Sequence, residues 1–223
     1  KGIFAGAKQR FQMGVNEKGL FVASSTAGSV SLATRRYQMA RRFKDAEGHF
    51  SSEWIIRHAS SVAEAIGHLQ VFKGYPTNFL LADAKEIALI EVTPSAKVIA
   101  VQRISNGVLT ETNHYTLNSA KRFNETIGES SQARLTKIQT LLNETAKPYT
   151  HTAFIQMTQN EDDGPDLSLF RVGSKPQSPK TLSSIVVKLA AGKPAQLSLR
   201  YLPNPSYNMT RWKKVEESYP RHK

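Results

Sequence analysis

Apolar residues along this chain fall in short runs bounded by Gly, Pro, Asn and Ser, the pattern of antiparallel strands joined by tight turns. Phe11 to Val15 and Leu20 to Thr26 predict a hairpin, with Asn16 bonding its own backbone and Gly19 supplying positive φ. Asn78 to Asp83, Ile87 to Thr93 and Lys97 to Arg103 predict three strands of a meander. A fourth, from Val108, ends in the polar residues Thr112, Asn113 and His114. Further strands are expected at Leu167 to Val172, Thr181 to Leu189 and Gln196 to Tyr201, with regular structure ending at Leu202 to Pro205 before a polar tail.

Helical spacing interrupts the strands in pairs. Arg35 to Lys44 predicts a short basic helix, and Ser52 to Ala59 a helix with Trp54, Ile55 and Ile56 on its apolar face. Ser61-Val62-Ala63-Glu64 is a capping box opening a helix with Ala63, Ile66, Leu69 and Val71 or Phe72 inward. From Ser130, apolar residues at Leu135, Ile138, Leu141 and Leu142 predict another helix, and Thr150 to Met157 a shorter one. The order ββ-αα-ββββ-αα-βββ implies an α+β fold in which antiparallel sheets are covered by helices. No linker or repeat divides residues 1–223, so a single domain is expected.

Composition narrows the function. At 39% hydrophobic and 22% charged residues, with a mean hydropathy of −0.40, the chain has the balance of a globular protein, and no apolar run is long enough to span a membrane as a helix. The absence of cysteine excludes disulfides and thiolate metal sites within these residues. A net charge of +12 favours anionic partners. Arg35, Arg36, Arg41, Arg42 and Lys44 are clustered, but no nucleic-acid-binding motif accompanies them, so a solvated basic face is the better reading. The six histidines lack metal-ligand spacing, and no P-loop, dinucleotide fingerprint or nucleophile elbow is present. Asp162, Asp163 and Asp166 form an acidic loop that could hold a cation, though solvation explains it more simply. Ser24, Ser25 and Thr26 either line a pocket or face solvent, and Asn113 is either a turn residue or a catalytic amide.

Five landmarks carry a resemblance. Gly14 to Leu20 resembles a G-x-N-E-x-G-L turn, and Ser61 to Ile66 an S-V-x-E-A-I helix. Asn78 to Asp83 with Ile90 to Pro94 resembles an N-F-L-x-A-D … x-E-V-x-P hairpin. Thr112-Asn113-His114 resembles a T-N-H motif, and Ser131 to Leu135 an S-x-x-R-L helix start. In this order the landmarks resemble the penicillin acyltransferase type of N-terminal-nucleophile hydrolase, akin to choloylglycine hydrolases and penicillin V acylases.

The resemblance implies an αββα four-layer sandwich, two antiparallel sheets between helix layers. It also implies a mature N-terminal cysteine whose α-amino group serves as base for its own thiol, attacking a linear amide. Asn113 matches the oxyanion-side Asn, Arg134 an active-site Arg, Thr26 with Ser25 a polar pocket position, His114 the rest of the T-N-H motif, and Arg171 a substrate-side Arg. A small-molecule amide substrate, anionic in keeping with the basic charge, is expected, with no cofactor. A homo-oligomer is compatible with the reading, and no targeting segment is visible to fix a compartment. The family places its nucleophile several dozen residues before the N-E-x-G-L turn, and the chain opens on Lys1 rather than Met, so the cysteine is expected upstream of these residues. The rival expectation is a catalytically inactive homologue that binds an anionic ligand or nucleic acid through its basic surface.

Overall fold

A computed structural model of the chain describes residues 2–5, 11–202 and 213–219. They form two compact units, one built on Lys1–Gly128 with Leu189–Lys193, the other on Glu129–Lys188 with Pro194–Pro220.

The first unit holds a six-stranded antiparallel sheet whose spatial order is its chain order: β1 (Gly2–Ala5), β2 (Met13–Asn16), β3 (Phe21–Thr26), β4 (Thr77–Ala82), β5 (Ile87–Val92) and β6 (Ile99–Ile104). The predicted hairpin and the first three strands of the meander are present, and β1 precedes them. Between β3 and β4 lie α1 (Leu32–Gln38), α2 (Ser51–His58) and α3 (Val62–Gly67). Strand alternation sorts the side chains. Val22, Phe79, Leu81, Ala88, Ile90 and Val92 pack with Ile55 and Ile56 of α2 and Val62 and Ala65 of α3. Each fully buried Val, Leu or Ile side chain among them contributes roughly 1.5–3 kcal/mol.

The opposite face carries different chemistry. Asn78 and Glu91, both fully buried, are direct cross-strand partners in β4 and β5, and Glu91 is next paired with Ala100 of β6. Ala100 belongs to a second apolar cluster with Ala27, Val30, Tyr115 and Ala120.

Asn16 fixes the first hairpin to α2. Its Oδ1 accepts from Lys18 N (3.1 Å) and Leu20 N (2.9 Å), while its Nδ2 donates to Ile56 O (3.0 Å) and Ala59 O (2.8 Å). Gly19 takes φ +82°, as the turn requires. The Ser61 hydroxyl caps α3 by accepting from Glu64 N (3.1 Å), but the Glu64 carboxylate reaches Ser60 N (2.8 Å) rather than Ser61 N. Val62 and Ala65 are the buried residues of α3, Ile66 packs partly buried against the same core as expected, and Ala63 is exposed instead of inward. The chain then tightens into a 3₁₀ turn that exposes Leu69 and buries Val71 and Phe72.

The second unit contains α4 (Glu129–Glu144), α5 (His151–Met157), the single turn α6 (Gly164–Leu167) and a three-stranded antiparallel sheet of β7 (Ser183–Lys188), β8 (Ala195–Tyr201) and β9 (Lys213–Tyr219). α4 buries Ser131, Leu135 and Leu142, and Ser130 Oγ donates to Asp166 O of α6 at 2.9 Å.

Three expectations are corrected. Val108 to Thr112 is irregular rather than a strand, and Asn113 and His114 lie in a bend. Leu167 to Val172 is α6 followed by bends, with Phe170 buried without strand pairing. Beyond Leu202, residues 203–212 lie outside the described residues, and the polar tail that follows forms β9 against β8, with Glu216 opposite Ser198.

Candidate active site

The site is built around the irregular segment that follows β6, and its shape comes from the Asn78–Glu91 pair. Asn78 Nδ2 donates to both Thr112 O (2.9 Å) and His114 O (3.1 Å). The Glu91 carboxylate accepts from Thr116 N (2.6 Å), Thr116 Oγ1 (2.9 Å) and Leu117 N (3.0 Å). One buried amide and one buried carboxylate therefore satisfy backbone groups on both sides of Asn113 that strand pairing would otherwise have served. Tyr115 completes the anchor, its hydroxyl donating to Val92 O at 2.8 Å.

Burial raises the Glu91 pKa above the ordinary glutamate value, against the opposing pull of the hydrogen bonds from Thr116 and Leu117. It likewise pushes the Tyr115 phenol up, helped by the Glu91 charge.

Asn113 sits half-buried at the tip. Its Nδ2 donates to Thr26 O at 3.0 Å, and its backbone carbonyl accepts from Ser29 N at 3.1 Å. Ser25 Oγ lies within 2.9 Å of Glu111 Oε2 and 3.0 Å of Thr112 O. The end of β3 and the bend are thus tied together through both a side chain and a backbone.

Asn113, Ser25 and Thr26 all line one cavity of about 370 Å³ within the first unit. Two chemistries share its wall. Ser24, Ser25, Thr26, Ser51, Ser52 and Thr77 present hydroxyls, with Ser52 Oγ donating to Ser24 Oγ at 2.9 Å. Phe11, Phe43, Phe50, Phe72, Tyr75 and Phe79 supply aromatic surface, and Arg42 and Lys73 supply positive charge.

Of the residues expected at a site, Ser25, Thr26 and Asn113 are brought together. His114 is buried, its Nδ1 3.1 Å from Thr112 Oγ1, and is not among the cavity-lining residues described. Arg134 and Arg171 belong to the second unit. Arg134 Nε reaches Ser130 Oγ at 3.4 Å. Arg171 is half-buried, its backbone N–H donating to Thr181 Oγ1 at 2.9 Å. Burial lowers its pKa, partly offset by Asp166, and among the described residues its Nε has no hydrogen-bond partner.

In the acidic loop, Lys137 Nζ stands 3.2 Å from Asp163 and 3.7 Å from Asp162, while Asp166 accepts from Ser174. No group of three or more His, Asp or Glu suited to a metal ion occurs among the described residues.

The aromatic residues and the Arg42–Lys73 pair were missed by sequence reasoning. The only signal was Phe43 interleaved in the basic cluster that contains Arg42.

Fold and site together define a mixed α/β protein with two antiparallel sheets, helices and a cavity of small-molecule size. No helix among the described residues is long and apolar enough to cross a membrane. The sequence profile of the acyl-coenzyme A:6-aminopenicillanic acid acyl-transferase family matches residues 4–199, and the chain belongs to that family. The comparison with curated proteins gives no match. Membership suggests acyl transfer or amide hydrolysis on small acyl substrates as the general class of activity.

Proposed function

We propose that the protein is an amidohydrolase or acyltransferase that opens a linear amide through a cysteine acyl-enzyme, with the Asn113 side chain as an oxyanion donor. The observation that carries this reading is the convergence of Asn113, Ser25 and Thr26 on one cavity. A neutral amide N–H, oriented by its bond to Thr26 O, suits the negative oxygen that develops on a carbonyl under attack. The hydroxyl side of the cavity receives the amide, and the aromatic side receives an apolar acyl group.

The attacking thiol is an N-terminal cysteine outside these 223 residues, which contain none. Its α-amino group takes the thiol proton and the thiolate attacks the carbonyl carbon. The amine leaves with a proton, and water or an acceptor amine then releases the acyl group. Arg134 and Arg171 are assigned supporting and substrate-side roles from their places in the family pattern. The whole arrangement is read as a single αββα domain.

Intact mass of the protein from its native source, before and after a cysteine-reactive alkylator, tests the nucleophile. One fast-reacting thiol at the mature N-terminus is expected, and a protein with no thiol would overturn the acyl-enzyme. In a thiol-bearing enzyme, Asn113→Ala should lower kcat roughly 10²–10³-fold, the usual cost of one oxyanion donor. Unchanged turnover would remove Asn113 from the mechanism.

A further inference from the structure

Helix α1 is docked through polar residues and turns its apolar ones to solvent. Gln38 is its buried residue, with Oε1 accepting from Ser95 N at 2.8 Å and Nε2 donating to Ser95 Oγ at 3.3 Å. Arg35 Nε donates to Val30 O at 2.9 Å, and Ser31 caps the first turn by accepting from Thr34 N at 3.3 Å. On the outer side Leu32 is 50% exposed and Tyr37 66%. Met39, in the 3₁₀ turn Met39–Arg41 that continues the helix, is 39% exposed. Helical spacing sets Leu32 beside Arg36 and Tyr37 beside Arg41, and both arginines are exposed. The Arg41 guanidinium lies over the Tyr37 ring at 4.7 Å, with Nη2 donating to the phenol oxygen at 2.9 Å.

The charge around this face has one sign. No aspartate or glutamate occurs between Glu17 and Asp45. Among the described residues, Arg36 and Arg41 enter no ion pair. Gly74 brings up a further cation. It takes φ +78°, and a Cβ there would collide with Arg41 O, so the chain passes close to the 3₁₀ turn. Phe43 N donates to Lys73 O at 3.2 Å, which places the exposed Lys73 at the same end of the helix.

Single exposed apolar residues are ordinary. A helix that buries glutamine and exposes leucine, tyrosine and methionine beside arginines suits an apolar–aqueous boundary rather than bulk water. Arginine stems and tyrosine rings fit the zone between lipid headgroups and acyl chains, where one end of the side chain is wet and the other apolar. Nucleic acid would use the arginines and leave Leu32 and Met39 idle. We propose that the outer face of α1 and the turn after it dock the protein peripherally on an anionic lipid surface. Leu32, Tyr37 and Met39 enter the headgroup region, and Arg36 and Arg41 pair with the anionic headgroups.

Cosedimentation of the full chain with lipid vesicles tests this. Equimolar phosphatidylcholine and phosphatidylglycerol should retain the protein, and phosphatidylcholine alone should not. Arg36→Gln with Arg41→Gln should weaken binding roughly 10–30-fold, the worth of two basic side chains near an anionic surface. Leu32→Ser with Met39→Ser should weaken it roughly tenfold or more, and that loss should persist in high salt, where the arginine contribution is screened. All four positions are exposed, so the core is left intact. Tyr37→Trp should bind as well as wild type, and its added emission should shift to the blue on the anionic vesicles.

Failure to bind the anionic vesicles would overturn the proposal. So would binding that falls with the arginines but is indifferent to Leu32 and Met39, the behaviour of a solvated basic face that any polyanion could satisfy. Binding untouched by either pair of substitutions would place the contact elsewhere on the molecule and overturn the assignment to α1.

Discussion

Two asparagines, each inside a family-like motif, are tied to the chain at opposite ends of β3 and do different things. Asn16 spends both donors and its acceptor oxygen on backbone groups of the β2–β3 turn and the end of α2. Asn113 gives one N–H to Thr26 O and turns its side chain to the cavity wall. Both residues stand in sequence as polar positions at a turn, yet the first ties the fold together and the second lines the cavity. A motif marks a residue with a job, and its hydrogen-bond partners say which job.

The largest test of that contrast is Asn16→Ala. It would leave Ile56 O, Ala59 O and the turn amides of Lys18 and Leu20 without their buried partner. Unsatisfied buried groups cost about 1–3 kcal/mol each, offset in part by relaxation and water. A net loss of about 3 kcal/mol is expected, lowering Tm by roughly 6–12 °C in a chain of this size. Thermal unfolding measures it, and a change under about 1 kcal/mol would mean that Asn16 is not the lock on α2.

Asn78→Ala should come next, at about 2 kcal/mol, because Thr112 O and His114 O lose a shared donor. It should also weaken amide-ligand binding, since the bend that carries Asn113 would relax. Loss of stability with ligand affinity untouched would separate the buried pair from the site.

Asn113→Ala should cost less stability than Asn16→Ala, because Asn113 is only half-buried, while lowering ligand affinity at the cavity it lines. A destabilisation as large as that of Asn16→Ala would erase the distinction between the two asparagines.

Much of the scaffold was legible because its apolar positions obey strand or helix periods that match their burial. β4 and β5 alternate cleanly on the helix-covered face, and Leu135 and Leu142 of α4 are buried as their spacing requires. Val108 to Thr112 misled because apolar residues followed a turn. In the structure Val108 is 39% exposed, and the carbonyls of Thr112 and His114 bond to the Asn78 side chain rather than to a neighbouring strand. Phe170 misled in a similar way, being a buried anchor in an irregular segment, with the Arg200 guanidinium over its ring at 5.0 Å. β9 is rich in charge and carries no apolar alternation, so only its pairing with β8 reveals it. Asn113, Ser25 and Thr26 were marked by polar strand ends and by family resemblance. Arg42 and Lys73 could not be joined in sequence, because the contact that joins them is a backbone approach permitted by Gly74.

The smallest effect is a slope rather than an offset, and it probes how the bend around Asn113 is held. Glu91 is fully buried and its pKa is raised by that burial, even though it accepts from Thr116 and Leu117. A glutamate in the unfolded chain titrates near about 4.3. Between that value and the higher folded one, the native state binds more protons than the unfolded state, so stability falls as pH rises. The contribution is fully present below the unfolded pKa and is lost as pH climbs through the folded pKa. Glu91→Gln removes the titration while keeping the shape. Urea unfolding of both proteins from acid to neutral pH should therefore show the stability advantage of wild type over the variant shrinking as pH rises. An advantage that grows with pH would mean that the three hydrogen bonds to Glu91 outweigh its desolvation. The carboxylate would then hold the Asn113 bend most firmly when charged, and the site would be most rigid at neutral pH.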